Sequence, residues 1–128
     1  MNKNTYTLIV LTCMLTLAGC KGDGNTESQS VVGNWTRLFN GSDITITLKT
    51  NGSYTVDMDG DSKAEVKGQY AIENEQITFT DQGGKNASSM GQAVYSFTVN
   101  GNQLTLTVIN EPDNNRKSVA AATWTRKT

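Results

Sequence analysis

The chain has 128 residues, 11 basic and 12 acidic side chains, a net charge of -1, two cysteines and no histidine. A charge so close to neutral excludes the basic face that nucleic-acid binding needs. The lack of histidine removes the commonest general base and, with it, most nucleophile–base pairs and most transition-metal sites.

Residues 1–19 read as a targeting segment and stand apart from the fold. Lys3 gives the positive start, an apolar run extends from Leu8 to Leu17, and Leu17-Ala18-Gly19-Cys20 closes it. The run is too short, and too interrupted by threonine, to cross ~30 Å of hydrocarbon. Those four closing residues resemble the lipobox of bacterial lipoproteins. The resemblance implies cleavage before Cys20 and lipidation of Cys20 with acyl chains such as palmitate. Several chains on one residue anchor stably where a single chain does not. Lys21 stands where the family's inner-membrane retention signal has Asp, which implies an outer-membrane address, on the periplasmic face or the cell surface. Lys21-Gly22-Asp23 loosely resembles the short tags that send some lipoproteins to the surface. With Cys13 removed and Cys20 lipidated, the body keeps no thiol for a disulfide or a metal.

Lys21 to Ser30 holds no apolar side chain and cannot offset the entropy lost on ordering. The expected organisation is therefore a signal peptide over 1–19, a lipidated Cys20 with a flexible tether to residue 30, and one domain over 31–128. The tether's expected reach is roughly 16–19 Å.

From Val31 onward the apolar period is two, the signature of half-buried strands. A first strand runs from about Val31 to Phe39, and Asn40-Gly41-Ser42 ends it. Ile44 to Lys49 forms a second, and Asn51-Gly52 supplies the positive φ angles of a tight hairpin. The third strand turns Tyr54, Val56 and Met58 inward, and the fourth Ala64, Val66, Gly68, Tyr70 and Ile72. The fifth offers Ile77 and Phe79. Gln82 to Gly91 is the longest polar stretch of the body, a mobile loop of the kind that carries function. The sixth strand sets Ala93, Tyr95, Phe97 and Val99 inward, and the seventh Leu104, Leu106 and Val108. Glu111 to Asn115 reads as an exposed loop, and Ser118 to Arg126 as the eighth strand, with Ala120, Ala122, Trp124 and Arg126 on one face. Tyr70–Thr80 and Phe97–Thr107 echo each other as two similar hairpins.

Eight strands with turns too short for crossover helices give an all-β, up-and-down antiparallel sheet, and closure into a barrel removes its two exposed edges. Gly33-Asn34-Trp35 on the first strand and Arg126 on the last resemble the lipocalin and broader calycin pattern. In that family the Trp packs across the closed end of the barrel and the Arg lies over its ring, a contact worth roughly 0.5–2 kcal/mol. Gly33, Trp35, Trp124 and Arg126 are thus the expected closure residues. The chain departs from the family in its short strands and in lacking the long loops, the second motif and the helix after the last strand. Short lipocalin-like domains of bacterial lipoproteins are the nearest resemblance.

Tyr54, Tyr70, Phe79, Tyr95 and Phe97 all fall on inward positions and are the candidate ligand-binding residues. A barrel of this size holds either its own side chains or one small ligand, and large rings on short strands favour filling. Asp57, Asp59 and Asp61 occupy positions 1, 3 and 5 of a calcium-loop pattern, but Ser62 and Gly68 break it at positions 6 and 12. An ordinary acidic turn is the expected reading, with no metal and no cofactor. The remaining acids, Glu65, Glu73, Glu75 and Asp81 among them, are placed at strand ends or facing outward, which leaves no converging pair for hydrolysis. Thr45, Thr47, Thr78, Thr80, Thr105 and Thr107 fit β-propensity on a solvated face. The expected function is non-catalytic: membrane attachment by the lipid and binding of a small apolar or amphipathic ligand. The alternative is a filled barrel that meets an envelope protein as an interaction or inhibitor module, through the loops at 82–91 and 111–115.

Overall fold

The computed structural model describes residues 30–128. The expected signal peptide, Cys20 and nearly all of the expected tether lie outside the described residues. Val31–Thr128 forms one compact unit, and every strand finds its partners within it.

The strands are β1 (Gly33–Phe39), β2 (Ser42–Leu48), β3 (Ser53–Asp57), β4 (Val66–Glu73), β5 (Gln76–Gly83), β6 (Ala93–Asn100), β7 (Gln103–Asn110) and β8 (Thr123–Arg126), with a helix α1 (Asn114–Ala120) before the last. They form a closed antiparallel barrel in sequence order, as the period-two pattern predicts. The first and last strands close it through Trp35 opposite Arg126 and Thr36 opposite Thr125. Up-and-down order sends both ends of the described body and the turns at 49–52, 74–75 and 101–102 to one end, the closed end. The turns at 40–41, 58–65, 84–92 and 111–122 gather at the other, the open end.

The inward faces of the strands make the core. Trp35, Ile77, Ala93, Tyr95 and Leu104 have no exposed surface, and Ile44, Leu48 and Trp124 have almost none. Full burial of a large aliphatic or aromatic side chain contributes about 1.5–3 kcal/mol, so these residues supply a large share of the hydrophobic stabilisation. At the closed end Arg126 lies over the Trp35 ring, with Cζ 4.1 Å from its centroid, and donates to the Val32 carbonyl at 3.1 Å. The Trp35 indole donates to the Val31 carbonyl at 2.8 Å. Gly33 has φ +140° and a Cβ there would sit 2.6 Å from Arg126 Nη1, so the glycine gives the guanidinium its place over the ring.

Three expectations about elements are corrected. The stretch from Ser118 is not strand: its first part belongs to α1, and β8 begins only at Thr123. Asp113 caps the helix by accepting from the amides of Asn115 at 2.9 Å and Arg116 at 3.2 Å, and this local bonding wins over a weak two-residue period. Ile72 and Val108, expected inside, are 45% and 39% exposed. They lie where the β4–β5 and β6–β7 hairpins run past their other neighbours, since β3 pairs with β4 only as far as Gln69 and β8 with β7 only as far as Thr105. Among the described residues no helix is long and apolar enough to cross a membrane.

Candidate functional site

The open end is built around β5. Its inward face runs Ile77, Phe79, Asp81, so an acid follows two apolar residues into the barrel. A register shift between Lys67 and Gly68 brings Gly68 opposite Asp81. A Cβ at Gly68 would lie 2.1 Å from the Thr80 carbonyl and 2.9 Å from the Tyr54 hydroxyl. Its absence lets Tyr54 cross above and donate to Asp81 Oδ1.

The second oxygen of Asp81 accepts from the Ser88 amide at 2.8 Å, which ties down the loop between β5 and β6. Gly84 packs so closely on β4 that a Cβ would meet the Glu65 carbonyl at 2.2 Å, and the Asn86 amide donates to that carbonyl at 2.9 Å. The polar stretch at 82–91 is therefore bonded down over the barrel, where sequence reading expected a mobile loop. Its polar side chains and amides hold it without a core of its own.

Helix α1 covers the rest of the mouth. Its C-terminal carbonyls accept from Arg37 of β1, Ser118 at 3.2 Å and Val119 at 2.6 Å, placing a cation at the negative end of the helix. The Arg37 guanidinium also stands 5.2 Å from the Phe39 ring and 5.9 Å from that of Trp124. In the first turn of the helix, Arg116 enters the barrel, its side chain 12% exposed, against 0% for Glu111 and 3% for Asp81. Its Nε donates to both Glu111 oxygens, at 3.0 and 2.9 Å, and Nη2 to Glu111 Oε1 and the Gly91 carbonyl, each at 2.8 Å. Nη1 is within ion-pair range of Asp81 Oδ2 at 3.5 Å. Glu111 also accepts from the Tyr95 hydroxyl at 2.6 Å and the Asp113 amide at 2.9 Å. Glu111 and Asp81, expected to be exposed, are thus corrected to buried carboxylates that converge on one guanidinium. A buried charge needs such a partner set.

The electrostatics follow from burial and these partners. Burial pushes the phenols of Tyr54 and Tyr95 well above their ordinary pKa, reinforced by the carboxylates of Asp81 and Glu111 that accept from them. For Arg116 burial opposes the charge, but the bonds to Glu111 and the charges of Glu111 and Asp81 outweigh it and hold the proton more firmly. Bonding from Ser88 holds Asp113 below the usual carboxylate range despite some desolvation.

Beneath this cluster lies a cavity of about 280 Å³. Its apolar lining includes Ile46, Val56, Met58, Val66, Phe79, Val119 and Trp124, and its polar lining Asp81, Asn86, Ser88, Asp113, Asn115 and Arg116. Of the five candidate rings, three come together edge to face. Tyr54 and Phe79 have centroids 5.1 Å apart at 75°, and Phe79 and Tyr95 6.0 Å apart at 70°. Tyr54 and Phe79 line the cavity, while Tyr95 is buried beside them. Tyr70 and Phe97 are only half-buried and do not line it. Tyr70 donates to the Lys49 carbonyl at 2.5 Å, toward the closed end. Trp124, expected only as a plug, also forms part of the cavity wall.

A separate acidic group sits on the β3–β4 turn, where carboxylate oxygens of Asp57, Asp59, Asp61 and Glu65 all lie within 4.8 Å of one another. Glu65, expected at an outward position, is 4% exposed. Each carboxylate is engaged by the turn's own backbone. Asp57 accepts from the amides of Asp59, Gly60 and Ser62, Asp59 from that of Asp61, Asp61 from that of Lys63, and Glu65 from that of Met58. Such bonding is how aspartates shape tight turns.

The site residues that sequence reading missed are Asp81, Glu111, Asp113 and Arg116. Two left a trace: Asp81 continues the alternation of Ile77 and Phe79, and Asp113 after Pro112 is a helix-start signal. The chain matches no family model, no curated protein and no solved structure.

Proposed function

We propose that this protein is a non-catalytic binding barrel of the cell envelope, lipidated on Cys20, held at the outer membrane and lipocalin-like in architecture. Its cargo is a small apolar or amphipathic molecule taken into the open-end cavity. The observation that carries this reading is the cavity itself: about 280 Å³, lined by both apolar and polar side chains, at the open end of a closed barrel. Small-molecule sites commonly have this composition. The Leu17-Ala18-Gly19-Cys20 motif supports the anchor. A non-catalytic role is supported by the state of the buried acids, whose oxygens are occupied by Tyr54, Ser88, Tyr95, Arg116 and the Asp113 amide.

The alternative, a surface that binds an envelope protein, is supported by one contact. Arg116 Nη2 bonds the Gly91 carbonyl and so ties the 82–91 segment to the start of helix α1, beside the 111–115 stretch.

Native mass spectrometry of the body purified from cells without detergent separates the two readings. A discrete extra mass, diminished by filling the cavity with Val56→Phe, is expected for a binding barrel. A clean apo mass that persists after incubation with envelope lipid extract would favour the interaction surface. Labelling of the full chain with radioactive palmitate, abolished by Cys20→Ala, tests the anchor.

A further inference from the structure

How cargo enters can be read from how the cavity is covered. Its volume is about 280 Å³, yet the lining residues Ile46, Val56, Val66, Phe79 and Trp124 are no more than 8% exposed. A molecule filling such a space is nearly enclosed, so a covering segment moves when it enters.

The two covering segments are held differently. The 84–92 turn is fastened to strand backbone and to a buried acid. Gly84 packs directly on Glu65 and Val66, the Asn86 amide donates to the Glu65 carbonyl at 2.9 Å, and the Ser88 amide donates to Asp81 at 2.8 Å. Arg116 fixes the N-terminal half of α1 as firmly, through Glu111 and the Gly91 carbonyl. The C-terminal half is held more loosely. Helix α1 has no buried residue, and its half-buried Val119 and Ala120 only border the core. Besides the helix's own bonds, Arg37 Nη1 donates to the Ser118 and Val119 carbonyls, and Trp124 Nε1 donates to that of Ala120 at 3.1 Å. A helix of seven residues is not stable without such support.

The barrel wall is also incomplete at this place. Strand β8 pairs with β1 only at Trp35 and Thr36, and with β7 only from Gln103 to Thr105. Toward the mouth α1 stands where a strand would be, bonded to Arg37 of β1 on one side and to Glu111 after β7 on the other. Val119 and Ala120 line the cavity from this gap. The stretches of β1 and β7 that outrun β8 carry Leu38, Val108 and Ile109, each an exposed large apolar side chain. Moving the end of α1 therefore breaks no strand pair and uncovers a passage with apolar side chains on both flanks.

Resting on the binding-barrel reading above, we propose that the C-terminal half of α1 is a side door to the cavity, with Arg116 as its pivot and Arg37 as its latch. When Arg37 releases the Ser118 and Val119 carbonyls, residues 118–121 move outward and a small amphiphile passes between β1 and β7. Such local opening draws on the least firmly held part of a fold.

Thiol labelling tests this. Residues 31–128 form one compact unit and contain no cysteine, so single introduced thiols report opening. Val66→Cys places a thiol in the cavity lining, Leu104→Cys in the core away from the cavity, and Met90→Cys on the surface. Fluorescein maleimide is expected to modify Val66→Cys at least about tenfold more slowly than Met90→Cys. Adding Arg37→Gln should speed Val66→Cys at least about fivefold and leave Leu104→Cys slow. Equal rates at Val66→Cys and Met90→Cys would show that the cavity needs no door. Equal acceleration of Leu104→Cys would show general loosening, and an unchanged Val66→Cys rate would show that Arg37 is no latch. Any of the three overturns the side door and leaves the binding barrel standing, since that reading is decided by the extra mass in the native spectrum.

Discussion

The two ends of the barrel each hold an arginine, and the same side chain does different work at each. At the closed end Arg126 covers Trp35 and bonds the Val32 carbonyl. The guanidinium there is only partly withdrawn from water. At the open end Arg116 is nearly enclosed and has drawn Glu111 and Asp81 in with it. A cation beside a ring can stay half-wet and simply seal the core beneath it. A cation inside needs counter-charges, and those in turn recruit tyrosines and loop amides. The closed end is therefore a lid made of packing, and the open end a lid made of polar bonds around a space that packing did not fill.

That contrast can be broken most sharply at Arg116. Arg116→Met leaves two buried carboxylates without their counter-ion, and breaking such a pair typically costs about 3–5 kcal/mol. Chemical denaturation is expected to register a loss of that size, and a loss below about 1 kcal/mol would mean that the acids find water instead. Next comes alkaline pH. The phenols of Tyr54 and Tyr95 hold their protons above the ordinary value of 10.0 in the folded protein. Their contribution is complete below that value. Above it the unfolded chain releases protons that the folded chain keeps, so stability falls by up to ~1.4 kcal/mol per pH unit for each phenol. Absorbance titration should show both tyrosines ionising only together with unfolding, whereas a reversible early ionisation would place them in contact with solvent.

Arg126→Met should cost less, roughly 0.5–2 kcal/mol for the lost cation–π contact, with the barrel intact by circular dichroism. A loss equal to that of Arg116→Met would erase the distinction between the two ends. The smallest effect is expected on the outer turn. The Asp61 amide pulls the Asp59 carboxyl down, but desolvation and the neighbouring charges of Asp61 and Glu65 raise it overall. Asp59→Asn should therefore increase Tm slightly in chelated buffer, more at low ionic strength than at high. A decrease would show that the charge at this position is wanted.

The apolar core and the closure of the barrel were legible in the sequence and the polar cluster at the open end largely was not, for physical reasons. Alternation reports on residues that pack through their apolar faces, so Ile44, Ile46, Leu48, Ile77 and Leu104 announced their own burial. Gly33, Trp35 and Arg126 meet because barrel closure pairs the first and last strands, a requirement that the resemblance supplied and the register bears out. A buried ion cluster obeys no such period. Arg116 lies on a helix, Glu111 at the end of β7 and Asp81 near the end of β5, and an acid at a strand end looks solvated until its neighbours are known. Hydrophobic alternation in Ala120, Ala122 and Trp124 also mimicked a strand where the Asp113 cap had already started a helix. Of the five rings, Tyr54, Phe79 and Tyr95 cluster, whereas Tyr70 sits on a stretch of β4 that outruns β3. Inward phase alone does not say how far along the barrel a ring lies.

An even number of strands returns the chain to the end from which it set out. Residues 31 and 128 both leave at the closed end, and the cavity mouth with its two covering segments lies at the opposite one. Attachment of the body through residue 31 or residue 128, whether to a surface, a resin or a reporter domain, therefore points away from the mouth. The barrel is oriented for immobilisation in the direction that a capture device would require.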